Sequence, residues 1–194
     1  KAQRTKLIDI LNHDVQRIER LITDYSQMLK DEVALSREKM KKIDLKLIAR
    51  SVVDDFNNIY ETKRGIKIIL NDSNNEKKCL IYGIENRIEQ IIANLLDNSI
   101  SFSDDNKKIL VEIYKNDNEK IILKVIDEGK GFKETNTKKI FDRFYSNRPD
   151  NFGEHSGLGL NIVKNLVDLH GATINASNNI TKNGANVEII FPKL

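Results

Sequence analysis

Two asparagines four residues apart, Asn94 and Asn98, stand in the run RIEQIIANLLDNSISF from Arg87 to Phe102. Its apolar positions, Ile84, Ile88, Ile91, Ile92, Leu95 and Leu96, follow helical spacing, so both amides leave one helix face. An amide oxygen is a hard, neutral ligand of the kind Mg2+ accepts, and Mg2+ usually keeps several waters and substrate phosphates. One Asn could hold the metal and its neighbour a water or a phosphate. Phe102, one more turn on, is within reach of a flat ring bound there. Alone, the two amides read equally well as solvated helix positions in an Asn-rich chain.

Two glycine motifs follow. In DEGKG, Asp127 ends the apolar run IILKVI, and Gly129 and Gly131 come two and four residues later. A carboxylate fixed at a strand end can accept a hydrogen bond from an exocyclic amine such as that of adenine. Glycine lets the backbone pass close to a ligand. Dinucleotide and methyl-donor loops look similar, and so does a plain turn. In GLGL, Gly157, Leu158, Gly159 and Leu160 open a helix, whose N–H groups and positive dipole end suit an anion. A flexible loop before a helix would read the same way. It is not the G-x-x-x-x-G-K-[ST] loop. Only the order and spacing of the three motifs together point to an ATP site.

The elements that must position these residues read as α+β. KKIDL is extended, and Asp44 is placed to cap a helix from about Leu45 to Thr62, ended by Gly65. Strands are expected at Ile66 to Leu70, Lys78 to Tyr82, Ile109 to Tyr114, Lys120 to Asp127, Ala172 to Ser177 and Asn186 to Phe191. The fifth helix-like segment, Leu158 to Leu169, is ended by Gly171. The stretch from Gly129 to Ser156 is polar and irregular apart from TKKIFDRFY, as a lid or binding loop would be. The expected architecture is a mixed sheet with one face covered by three helices, a two-layer α/β sandwich preceded by a long N-terminal helix.

That first helix carries Ile8, Leu11, Val15, Ile18, Ile22, Tyr25 and Leu29, in steps of three and four. This is a heptad seam of about three repeats. It fits an arm that pairs with another helix, or a surface helix lying on the globular domain. The chain of 194 residues is 39% hydrophobic and 31% charged, as a soluble globular protein would be. A net charge of +3 with interleaved signs gives no reason to expect a nucleic-acid partner. The one cysteine, Cys79, excludes an intrachain disulfide and sits in the apolar run CLIY. No apolar run approaches the ~18 residues of a membrane span. The chain opens on Lys1 inside an apparent helix, so a fragment of a longer protein is expected.

The motifs together closely resemble the catalytic, ATP-binding domain of bacterial sensor histidine kinases of the GHKL ATPase superfamily. RIEQIIANLLDNSISFS resembles the family's N box, VIDEGKGF its G1 box, IFDRFY its F box, GEHSGLGLNIVKNLVDLHG its G2 box, and GANVEIIFP its closing strand. The resemblance implies a GHKL-type α/β sandwich over residues 43–194. It implies that ATP and Mg2+ bind. Asn98 would coordinate Mg2+, and Asn94 would polarise the γ-phosphate region or its water. Asp127 would take the adenine amine and Phe102 would pack on the base. Gly129 and Gly131 would shape the base pocket. Gly157, Leu158, Gly159 and Leu160 would line the phosphates, and Phe141 and Phe144 would pin the lid's hinge.

Three positions depart from the family pattern. Ser101 and Ser146 stand where a basic residue is usual, with Arg143, Arg148 or Lys133 as candidate replacements. Asn186 stands where Thr is frequent, and could still hydrogen-bond the base region. The segment LNHDVQRIERLITDYSQMLKDE resembles the second helix of the dimerisation hairpin, most like kinases of the ChvG type, which assigns residues 1–42 to that truncated hairpin. His13-Asp14 lacks the proline that follows a phosphoacceptor, so His13 reads as a surface residue, and His155 and His170 as structural or solvated. The accepting histidine would then lie on a helix absent from this chain. The resemblance implies a response-regulator receiver domain and the protein's own dimerisation helix as partners, in a homodimer. It implies the cytoplasmic portion of a bacterial inner-membrane protein, anchored through a missing N-terminal part. Two other readings stay open: a GHKL ATPase or serine kinase, which would carry a glutamate where Asn94 stands, and a degenerate nucleotide-binding or dimerisation module.

Overall fold

Asp44 starts the first long helix. Its carboxylate accepts from the Lys46 N–H at 3.1 Å, and helix α1 (Leu45–Arg64) runs from there to Gly65, whose φ of 63° closes the C-terminus. The computed structural model describes residues 38–72, 78–133, 137–142, 157–179 and 183–194, with Leu11, Val15, Ile18, Glu19, Ile22, Thr23 and Ser26 of the N-terminal stretch. Those seven are helical. Leu11, Val15, Ile18 and Ile22, all on the seam, keep 56%, 53%, 54% and 61% of their surface exposed. The remaining seam residues lie outside the described set.

The other elements are β1 (Lys41–Asp44), β2 (Lys67–Asn71), β3 (Leu80–Gly83), α2 (Glu85–Phe102), β4 (Lys108–Lys115), β5 (Ile121–Asp127), a short 3-10 helix (Thr137–Phe141), α3 (Gly159–Leu169), β6 (Thr173–Asn178) and β7 (Ala185–Phe191). Five strands form one mixed sheet in the order β2-β4-β5-β7-β6, parallel only between β2 and β4. The expected sheet under three helices is therefore present. β1 and β3 stand apart as a two-stranded antiparallel sheet. A local reason is visible at the free edge of β2. The Asn57 side chain, from α1, donates to the Ile68 carbonyl and accepts from the Ile68 N–H, both at 2.8 Å. This amide satisfies the edge that another strand would otherwise use.

The core lies between the sheet's inner face and the helices. Ile109, Val111 and Ile113 of β4, Leu123 and Val125 of β5 and Val187 and Ile189 of β7 meet Val52 and Val53 of α1, Ile88, Ile91, Ile92, Leu95 and Leu96 of α2, and Val163 and Val167 of α3. Each large aliphatic side chain buried this way contributes about 1.5–3 kcal/mol. Cys79 is free and fully buried. On the other face Lys124 reaches Glu188 at 3.2 Å and lies 5.3 Å from the Tyr114 ring. The central strand is thus apolar inward and mixed outward.

Helix α2 is tied down at both ends. At its start no side chain caps Ile84. Instead the Ile84 N–H donates to Nε2 of His170 at 3.1 Å, and His170 Nδ1 donates to the Leu166 carbonyl at 2.7 Å. That pattern requires the neutral ring. At its end Arg64 donates to the Ile100 carbonyl at 2.8 Å and the Ser103 carbonyl at 2.7 Å, and pairs with Asp105 at 2.7 Å. These bonds satisfy carbonyls that the helix end leaves open.

Burial holds His170 below the usual histidine value of 6.5, against the opposing pull of the Leu166 carbonyl. A depressed native pKa means the unfolded chain takes up the proton first as pH falls. The stabilisation from neutral His170 is therefore complete above 6.5 and is lost as pH drops below it. Denaturation midpoints measured between pH 7.5 and 5.5 should fall for the parent protein and fall less for His170→Gln.

Candidate functional site

Asp127 is the last residue of β5. The register turns its side chain to the helix-covered face, where it is 4% exposed. A buried carboxylate must be paired or hydrogen-bonded. Its Oδ1 accepts the Gly129 N–H at 2.9 Å and the Ala185 N–H at 3.0 Å. Burial raises its pKa above the usual 3.8, while the bonds from Ala185 and Gly129 pull the other way.

Glycine permits this crowding. A Cβ on Gly129 would stand 2.5 Å from the Phe102 carbonyl, so the end of α2 presses directly on the loop after β5. A Cβ on Gly184 would collide with the Asp127 carbonyl, and Gly184 adopts φ 144°. The β6–β7 hairpin closes on the strand end through this gap.

Asn94, Asn98 and Phe102 are all half-buried along α2. Asn94 faces the third motif: its Oδ1 lies 3.7 Å from where a Cβ on Gly159 would be. Gly157 has φ 71°, Leu158 is 1% exposed, and Gly159 begins α3 with no side-chain cap on Leu158. Leu160 is half-buried against the core. The amide helix, the acidic strand end and the glycine-led helix start therefore converge. Phe141 is buried, and its carbonyl accepts from Nδ2 of Asn161 on α3 at 2.9 Å, which docks the 3-10 helix beside the start of α3.

Sequence reasoning missed three positions here. Asn161, Asn178 and Gly184 all shape the site. Asn178 is the clearest: its amide donates to the Phe132 carbonyl at 2.8 Å and accepts from the Phe132 N–H at 2.6 Å. The amide copies one rung of a strand ladder and fixes the loop after Gly131. Nothing local marks it, because Asn178 and Phe132 are 46 residues apart in the chain.

One expectation is corrected. Asn186 pairs with Ile126 and Ser177 and so lies on the outer face of the sheet, where its amide reaches the Ser177 hydroxyl at 3.4 Å. Strand alternation places it opposite the face that holds Asp127. The backbone of its neighbour, Ala185, makes the contact instead. Ser101 is buried and donates to the Asp97 carbonyl at 2.7 Å. Lys133 is exposed. Phe144, Ser146, Arg143, Arg148, His13 and His155 lie outside the described residues.

Among the described residues, no group of three His, Cys, Asp or Glu could hold a metal ion. The amide oxygens of Asn94 and Asn98 are the hard donors at the site. That set is too small to strip Mg2+ of its waters, but it fits a Mg2+ that arrives already held by phosphates.

The comparisons agree with this geometry. Residues 83–194 match the family described as histidine kinase-, DNA gyrase B-, and HSP90-like ATPase. Sensor protein ChvG of Rhizobium meliloti (strain 1021) is 34% identical over 189 residues, which is 95% of this chain and 33% of that protein. The chain thus spans about a third of the length of the curated relatives it matches. The nucleotide-free catalytic domain of histidine kinase ThkA superposes with a TM-score of 0.68 at 25% identity, covering 80% of this chain and 96% of that one. ThkA in complex with response regulator protein TrrA gives a TM-score of 0.69 at 24% identity, over 97% of this chain and 51% of that one. With the converging motifs and a family match over more than half of its length, the chain belongs to the histidine kinase-, DNA gyrase B- and HSP90-like ATPases.

Proposed function

We propose that this chain is the ATP-binding catalytic part of a sensor histidine kinase, transferring the γ-phosphoryl group of Mg·ATP to a histidine on a dimerisation helix. The observation that carries this reading is the approach of Asn94 to Gly159, beside a buried Asp127 with donors on Oδ1. The likeness to sensor proteins along nearly the whole chain supports it.

Each residue has a part. The Asp127 carboxylate accepts the exocyclic amine of adenine, and Gly129 and Gly131 keep the backbone low beneath the base. Phe102 packs on the ring. Gly157, Leu158, Gly159 and Leu160 present backbone N–H groups at the start of α3, where the helix dipole favours phosphate. The Asn98 amide oxygen would hold the Mg2+, which would supply neutralisation of phosphate charge when bound. Asn94 orients the γ-phosphate. Phe141, with Phe144, holds the hinge of the covering segment. Transfer breaks the bond from the γ-phosphorus to the bridging oxygen and forms a bond to an imidazole nitrogen, with ADP leaving. Positioning supplies most of the rate.

The acceptor is supplied from outside this chain's histidines. His170 is buried in the fold, with both ring nitrogens engaged. His13 and His155 lack the sequence context of an acceptor. The second helix of the dimerisation hairpin then lies before β1, its exposed seam pairing in a homodimer, and the catalytic domain begins at β1 (Lys41–Asp44), two residues ahead of the expected boundary at residue 43. The intact protein passes its phosphate to a response regulator and sits at the bacterial inner membrane. No helix among the described residues is long and apolar enough to cross a membrane.

Calorimetry with Mg2+ and a non-hydrolysable ATP analogue should show one site per chain. Asp127→Asn should weaken it about 10- to 100-fold, because a charged acceptor is lost. No binding to the parent protein would sink the reading. Incubation with γ-labelled ATP should leave the chain unlabelled, whereas stable label on His13 would contradict the assignment of the acceptor. Replacing Asn178 by Ala should cost about tenfold in affinity through the freed Phe132 loop, a loss comparable to one or two hydrogen bonds. Because Asp127 holds its proton to higher pH than an exposed aspartate, affinity should begin to fall, on acidification, before the usual carboxylate range is reached.

A further inference from the structure

We propose that Arg64 is a positioning residue for base recognition: its guanidinium grips the turn that carries Phe102 and so sets one wall of the base pocket. This rests on reading the site as a nucleotide site.

The end of α2 lacks the usual local closures. Its last turn holds no basic residue, and the residue that follows, Ser103, is extended at φ −94° and ψ 141° rather than a left-handed glycine. The Ser103 hydroxyl is buried and finds no hydrogen-bond partner among the described residues, so it adds no tie of its own. Within the turn itself, the Ser103 N–H makes only a long bond to the Ile100 carbonyl, at 3.3 Å.

The closing group comes from α1 instead. Nη1 of Arg64 donates to the Ile100 carbonyl at 2.8 Å, Nη2 to the Ser103 carbonyl at 2.7 Å, and Nε to Asp105 at 2.7 Å. The Asp105 side chain is 64% exposed, so that pair is worth little and the two carbonyl bonds carry the hold. A planar fork with three nitrogens engaged has one orientation. The backbone of Arg64 is fixed as well, because its carbonyl accepts the Asn106 N–H at 2.9 Å.

Phe102 lies between the two gripped carbonyls in the chain. Its own carbonyl is the atom against which the loop after β5 rests, 2.5 Å from where a Cβ on Gly129 would stand. The Gly129 N–H in turn donates to Oδ1 of Asp127 at 2.9 Å. A shift of this turn therefore moves the ring that packs on the base and the loop beneath the base together. The phosphate end is held separately. Asn94, which faces Gly159, lies two turns back along α2, and His170 ties that helix from its other end.

The test uses this chain with Mg2+ and a non-hydrolysable ATP analogue, reading affinity by calorimetry and the site by NMR amide shifts. Arg64→Gln should bind about tenfold more weakly, as the loss of one or two hydrogen bonds would give. At saturation its ligand-induced shifts at Gly157 and Gly159 should match those of the parent, while those at Phe102, Gly129 and Gly131 should not. Arg64→Lys keeps the charge but offers no fork, and should fall between the two. Parent-like affinity in Arg64→Gln, or ligand-induced shifts altered equally at both ends of the site, would overturn the proposal while leaving the nucleotide site intact, as would full recovery by Arg64→Lys. If the parent protein does not bind the analogue, the nucleotide reading fails and this inference with it. Should glutamine unfold the domain, Arg64→Lys carries both readouts with the same outcomes.

Discussion

The candidate site is organised around one carboxylate from which nearly all water is removed. Asp127 is 4% exposed, and burial alone drives it toward its neutral form. Ionisation of so buried a group subtracts from stability at neutral pH, because its native pKa is raised. Hydrogen bonds from two separate segments offset that cost. The loop after β5 supplies the Gly129 N–H and the start of β7 supplies the Ala185 N–H, both to Oδ1. Each segment must come close enough to donate, and so each is fixed by the acid it serves.

Close approach explains the small residues and the amide clamps. Gly129 lets the Phe102 carbonyl meet the loop, and Gly184 lets the hairpin close over the strand end. Asn178 then fixes Phe132 with two bonds. Helix α2 is the spine that carries these demands across the domain. His170, just past the end of α3, holds Ile84, the residue that leads into α2, and Arg64 of α1 holds its last turn. With both ends fixed, Asn94 presents its amide beside the start of α3, and Asn98 follows one turn on along the same helix. His170 and Asp127 are pushed by the same desolvation in opposite senses, one away from its cation and the other away from its anion.

Much of this was legible in the sequence wherever the signal is local. Helical spacing located α2 to within a residue or two, Asp44 and Gly65 marked the ends of α1, and the strand runs were found with small shifts at their edges. The three motifs were expected at one site because each combines a residue type with a chain position. What the sequence hid was long-range pairing. Asn178, Arg64 and Asn57 act through partners 46, 36 and 11 residues away, and an asparagine or arginine carries no mark of its partner. The separation of β1 and β3 from the main sheet was hidden for the same reason: it turns on an edge that Asn57 occupies. Asn186 was misread because its neighbours were known but its strand phase was not, and a single step in phase reverses the face.

The central claim is that α2, the end of β5 and the start of α3 enclose one purine nucleotide. Amide chemical shifts followed by NMR during titration with Mg2+ and a non-hydrolysable ATP analogue address it most directly. Saturable shifts concentrated at Asn94 to Phe102, Asp127 to Gly131 and Gly157 to Leu160, all with one dissociation constant, are the predicted result. Shifts confined to one of these segments, or spread over the outer face of the sheet, would contradict it.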